Sequence, residues 1–199
     1  MSTTAVPGRA GTVLADLFPA SSAGRARLRD AALVVGGAAL TGLAAQLSVP
    51  VPGSPVPVTG QTFAALLVGT ALGAKRGVAS LGLYAAAGAA GLPWFADGTS
   101  GWSMPSFGYI LGMLVASGVV GFLARRGGDR TVLRTAGVMV LGSAVIYAVG
   151  VPYLAASAHL SAHQALTTGL RPYLLGDALK AALAMAALPA AWRLTNSPS

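Results

Sequence analysis

The 199-residue sequence contains no cysteine and no glutamate, and its other metal-ligating side chains are five aspartates and two histidines. Disulfide staples and thiolate chemistry are thereby excluded, and a metal site has few ligands to draw on. His159 and His163 have the four-residue spacing of a helical metal pair, but no third ligand is evident near them, so no metal is expected. Charged residues make up only 9% of the chain, far below the share of a soluble domain. A phosphate-cradling P-loop, a nucleophile elbow, an HExxH zinc motif and an EF-hand loop are also missing. The chain therefore offers no ATPase site, and no catalytic residue or cofactor is assigned. Residues 1–30 carry Arg9, Arg25, Arg27, Arg29, Asp16 and Asp30 but no uninterrupted apolar core, so they do not read as a cleaved signal peptide.

What is present is apolar and small. Hydrophobic residues make up 54% of the chain, mean hydropathy is +0.69, and there are 27 glycines. Small residues let helices approach closely where lipid supplies no hydrophobic drive for association. Six apolar segments follow one another at residues 31–49, 61–74, 77–92, 106–124, 131–151 and 172–194. An all-α integral membrane bundle of six transmembrane helices is expected. At about 1.5 Å per residue against a hydrocarbon core of about 30 Å, the second and third segments are short for independent spans and are expected to border a polar cavity. Residues 1–30 are expected to form a cytoplasmic, partly disordered extension, residues 31–194 the membrane domain, and residues 195–199 a cytoplasmic tail.

The net charge of +8 fits topology better than nucleic acid, because the basic residues sit in short segments between apolar ones. With the amino terminus inside, Lys75, Arg76, Arg125, Arg126, Arg130, Arg134 and Arg193 all fall on the cytoplasmic side. Eleven of thirteen basic residues then lie inside, Arg171 and Lys180 being the exceptions, and both termini are expected in the cytoplasm. The opposite face has another chemistry. Residues 49–57 hold four prolines and no charge, which favours a stiff, extended lid. Residues 92–102 are rich in glycine and aromatics, and residues 152–171 form a long connection.

Asp177 and Lys180 carry the most information. An ionisable pair inside an apolar helix is costly unless it pairs internally or lines a hydrated cavity, and three-residue spacing puts both on one face. A helix-packing ion pair and a ligand-contacting pair both stay open. Gln61, Trp94, Phe95, Tyr109 and Tyr147 gather near the same mouth, although Trp94, Trp102 and Tyr153 also suit interfacial anchors. Asp97 either contacts ligand or keeps its loop solvated. In the first segment Ala32 and Gly36, Gly37, Thr41 and Ala45, and Ala38 and Gly42 recur at helical spacing, a smooth face for a membrane partner or for packing within the bundle.

Three motifs in order, Pro55-Val-Pro-Val-Thr-Gly-Gln-Thr-Phe63, Leu83-Tyr-Ala-Ala-Ala-Gly-Ala-Ala-Gly-Leu-Pro-Trp-Phe95 and Gly176-Asp-Ala-Leu-Lys180, resemble the BioY proteins, biotin-specific S-components of energy-coupling factor (ECF) transporters. The likeness runs from about residue 29 to residue 193. It implies a bacterial cell-membrane subunit that captures biotin outside and joins a transmembrane coupling subunit and ATP-binding cassette ATPases, with biotin as transported ligand. Asp177 and Lys180 match the family's Gly-Asp-x-x-Lys motif, Gln61 matches the glutamine of its proline-rich motif, and Trp94 and Phe95 match positions beside the pocket. Ala32, Gly36, Ala38 and Gly42 are the expected partner face. Where many relatives have a Gly-Pro-Thr-Gly-Gly-Tyr run, this chain has Met104-Pro-Ser-Phe-Gly-Tyr109. No motif assigns a cation to the biotin carboxylate, and Arg171 is a candidate. An S-component for thiamine or riboflavin is the nearest alternative, a membrane enzyme acting on lipid or isoprenoid a more distant one, and a homo-oligomer is left open.

Overall fold

A computed structural model of the chain describes residues 11–196. Its α-helices are α1 (Ala23–Ala45), α2 (Gln61–Leu72), α3 (Ala74–Ala89), α4 (Phe107–Arg125), α5 (Val132–Ser157), α6 (Ala162–Gly169) and α7 (Leu174–Asn196). Six of these follow the six apolar segments, and α6 is a short addition within the fifth-to-sixth connection. Four helical stretches, Ala23–Ala45, Phe107–Arg125, Val132–Ser157 and Ala162–Thr195, are long and apolar enough to cross a membrane.

The helices start where side chains satisfy their open amides. The Ser22 and Thr131 hydroxyls accept the amides of Arg25 and Arg134 at 3.3 and 3.4 Å, and Ser161 and Gln164 cap α6 reciprocally. Gly73, at φ +81°, separates α2 from α3 by a single residue, a conformation that favours glycine. At about 18 and 24 Å by their helical rise, α2 and α3 are the short elements expected. Helix α2 is largely buried among its neighbours. Its Gly69 crosses α4 so closely that an added Cβ would lie 2.6 Å from the Ser117 carbonyl oxygen.

Two boundaries differ from the sequence reading. The fifth helix was expected to stop at residue 151, yet α5 continues through Pro152 to Ser157. Proline removes one amide hydrogen bond, a loss that a helix held by neighbours tolerates. The expected separate extension over residues 1–30 is also shorter, because α1 begins at Ala23 and residues 11–17 join the bundle. Val13 and Ala15 are buried, Asp16 pairs with Arg76, and its other oxygen lies 3.7 Å from Arg125. Residues 1–10, with Arg9, and residues 197–199 lie outside the described residues.

The two ends of the bundle have opposite character. One gathers Asp16, Arg76 and Arg125 with Asp129, whose carboxylate accepts the Trp192 indole N–H at 2.7 Å while Arg130 stacks 4.4 Å over that indole. At the other end, β1 (Ser48–Val49) and β2 (Val58–Thr59) pair antiparallel and hold the proline-rich segment as a hairpin loop.

Candidate functional site: a cavity under the proline-rich loop

At the hairpin end the first turns of α2, α4 and α7 converge with the later part of α5 on a cavity of about 620 Å³, its mouth included. One wall is polar. The Asp177 carboxylate accepts from the Tyr147 hydroxyl and, at 3.2 Å, from the Lys180 ammonium, which also donates to the Thr62 hydroxyl at 2.7 Å. The side chains of Asp177 and Lys180 are 14% and 18% exposed, so both are largely withdrawn from water while still facing the cavity. Two of the three ammonium hydrogens are used within the protein, leaving one for a ligand. Gln61 is 5% exposed and lines the same cavity, and its Nε2 has no hydrogen-bond partner. A buried amide donor without a partner costs stability, and a ligand carbonyl would remove that cost.

The facing wall is apolar: Phe95, Ile110, Met113 and Ile146. Phe95 is held in place from behind. It packs edge-on to Tyr84 at 5.2 Å, and an added Cβ on Gly88 would lie 2.1 Å from its ring, so only glycine leaves room for it. Gln46 fixes the adjoining backbone by donating to the carbonyls of Trp94 and Phe95, both at 3.1 Å. The proline-rich loop forms the roof, with Val56 and Pro57 on the cavity. Tyr173 fastens it by donating to the Val56 carbonyl, and its hydroxyl lies 2.9 Å from Ser54 Oγ.

Of the residues expected here, Asp177, Lys180, Gln61, Phe95, Tyr109 and Tyr147 line the cavity. Trp94 and Asp97 do not. Trp94 lies over Gly42, where an added Cβ would meet its ring at 3.1 Å, and its indole donates to the Tyr84 carbonyl at 3.0 Å. Asp97 is exposed in a left-handed turn at φ 56°. Arg171, the candidate for a ligand carboxylate, is exposed and outside the lining. His159 and His163 are exposed, and among the described residues no three His, Cys, Asp or Glu side chains form a metal-binding group.

The expected partner face divides. Ala32 and Gly36 are exposed on α1, whereas Ala38 and Gly42 are buried, Gly42 beneath Trp94. The spacing of small residues is the same on both faces, so only packing tells them apart. Sequence reasoning missed Thr62 and Tyr173. Thr62 directly follows Gln61 within the quoted motif, a usable signal, while the role of Tyr173 depends on a loop more than a hundred residues away.

A second, larger cleft of about 1220 Å³ opens sideways between α5 and α7 and shares Ser143, Tyr147 and Asp177 with the first. Its walls are otherwise mostly aliphatic, so the smaller cavity is the one equipped to hold a polar solute.

The BioY family model matches residues 19–197. The chain belongs to the BioY family. Among BioY relatives, the probable biotin transporter of Pyrococcus horikoshii is 34% identical over 162 residues, 80% of this chain and 93% of its own. The biotin transporter of Thermotoga maritima is 35% identical over 149 residues, 73% and 85% of the two chains. The crystal structure of the S-component for biotin from an ECF-type ABC transporter superposes with a TM-score of 0.76 over 90% of this chain and 97% of that one, at 22% identity. This BioY chain thus has the S-component fold and is a multi-pass membrane protein.

Proposed function

We propose that the chain captures biotin for an ECF importer. The observation that carries this reading is the unpartnered amide of Gln61, set in one cavity with the Asp177 carboxylate and the Lys180 ammonium. A cyclic urea offers two N–H donors and one carbonyl acceptor, and this set supplies an acceptor and two donors for it. The apolar wall and the Val56–Pro57 roof suit the sulfur ring and aliphatic chain, and removal of water strengthens the polar contacts. The names of the relatives support the same ligand. Equilibrium binding of biotin, with thiamine and riboflavin as controls, tests the assignment; preferential binding of either control overturns it.

The role is capture without chemistry of its own, with energy supplied by a separate coupling subunit and ATP-binding cassette ATPases. The exposed Ala32 and Gly36 stripe on α1 is the proposed partner face. Ala32→Leu and Gly36→Leu should weaken association with the coupling subunit and leave biotin binding unchanged. Both termini and the α4–α5 turn are proposed to face the cytoplasm. Labelling of a cysteine introduced beside Arg130 by an impermeant reagent outside intact cells would reverse that orientation.

A further inference from the structure

At the basic end, a shallow, open groove runs between the end of α4 and the start of α5. It is lined by Leu123, Val138 and Leu141, floored by Gly137, and flanked by Arg126 and Arg134. Both arginines are exposed. Among the described residues no aspartate forms an ion pair with either: Asp16 pairs with Arg76, Asp30 with Arg29 and Asp177 with Lys180, Asp129 is fully buried with one oxygen on Trp192, and Asp97 lies at the opposite end. The two guanidinium groups thus have no carboxylate partner, and both lie beside the α4–α5 turn. Arg126 stacks 4.1 Å over the Phe122 ring, and Arg134 rests against the α4–α5 turn, with Nη1 3.8 Å from where a Cβ on Gly127 would be.

Arg126 caps α4 and Arg134 lies in the first turn of α5. Leu141, seven residues further along α5, is about 10 Å deeper by helical rise. The groove thus passes from two arginines at the end of the bundle to aliphatic walls about 10 Å further along the helices. Its floor is open because an added Cβ on Gly137 would meet nothing within 4 Å. A cationic mouth above an aliphatic slot is complementary to an anionic head on an acyl chain, and guanidinium pairs bind phosphate with several directed hydrogen bonds.

We propose that this groove binds one anionic phospholipid, its phosphate on Arg126 and Arg134 and an acyl chain along Leu123, Val138 and Leu141. Two variants separate the halves of the site. Arg126→Gln with Arg134→Gln removes the charge, and Gly137→Leu fills the slot without striking its own fold. The purified full chain is exchanged into mixed micelles of phosphatidylglycerol and phosphatidylcholine, and retained lipid is counted by native mass spectrometry. The wild type is expected to keep phosphatidylglycerol at least tenfold over phosphatidylcholine. The double arginine variant should lose most of that preference, and Gly137→Leu should lower retention of both lipids. Equal retention of the two lipids by wild type, or unchanged phosphatidylglycerol retention in both variants, overturns the proposal. So does a double variant that keeps the lipid but no longer copurifies with a coupling subunit, because the arginines then serve a protein contact.

Discussion

The ammonium of Lys180 reaches from α7 to the hydroxyl of Thr62 on α2, 2.7 Å away, while holding Asp177 of its own helix at 3.2 Å. One side chain thus ties two helices together and presents the cavity's polar wall. The ion-pair and ligand readings of Asp177 and Lys180 are therefore compatible, and substitutions must be judged on stability and binding together.

Asp177→Asn keeps the size of the side chain but replaces a charge-assisted acceptor, worth about 1.5 to 3 kcal/mol. Biotin affinity should fall roughly 10- to 150-fold. Lys180→Met should weaken binding similarly and also lower the thermal midpoint, because the link to Thr62 is lost. Calorimetric titration beside thermal unfolding checks both; a lower midpoint with unchanged affinity in the folded fraction would leave the pair a purely structural role.

Gln61 should behave differently. Its Nε2 has no partner to lose, so Gln61→Leu should leave the ligand-free protein as stable as before or more stable. Binding should weaken by about 2- to 12-fold, the worth of one neutral hydrogen bond of about 0.5 to 1.5 kcal/mol. Unchanged binding would remove Gln61 from the site.

Tyr173→Phe removes the hydroxyl that fastens Ser54 and Val56 and leaves the ring in place. Hydrogen exchange over residues 50–57 should quicken, and the ligand should dissociate several-fold faster. An unaltered off-rate would show that the loop is not the barrier to release.

Gly88→Ala puts a methyl group where the Phe95 ring sits. Overpacking of about 1 to 3 kcal/mol is expected, with loss of binding as Phe95 moves into the cavity. A second-site Phe95→Leu change should recover part of the lost stability and less of the binding.

The ion-pair cluster at the basic end should give stability an acid limb. Burial pushes the Asp16 carboxyl up, but the Arg76 hydrogen bond, the Val13 amide and the Arg76 and Arg125 charges outweigh it and hold it below the ordinary carboxylate range. Its contribution is then present above the unfolded value of about 3.9 and is lost as pH falls through the lower folded value. Asp16→Asn should lower stability at neutral pH and flatten the loss on acidification, as followed by unfolding midpoints between pH 7 and pH 3.

Much of this protein was legible in its order of residues. Apolar runs set the helices because lipid leaves backbone groups no other partners. Their lengths marked α2 and α3 as the short elements, but of the two expected beside the cavity only α2 lines it, α3 lying behind Phe95. The spacing of Asp177 and Lys180 put both on one face of α7, since helical geometry is local. Tertiary structure alone decided which small residues of α1 remain exposed, because Ala32 and Gly36 have the same spacing as Ala38 and Gly42, and only packing, Trp94 over Gly42 among it, buries the second pair. It alone turned Trp94 away from the cavity and Phe95 into it: neighbours in sequence point apart, Phe95 packing on Gly88 of α3 and Trp94 on Gly42 of α1. It alone joined Lys180 to Thr62 and Tyr173 to the proline-rich loop, contacts between distant residues whose geometry no local pattern encodes.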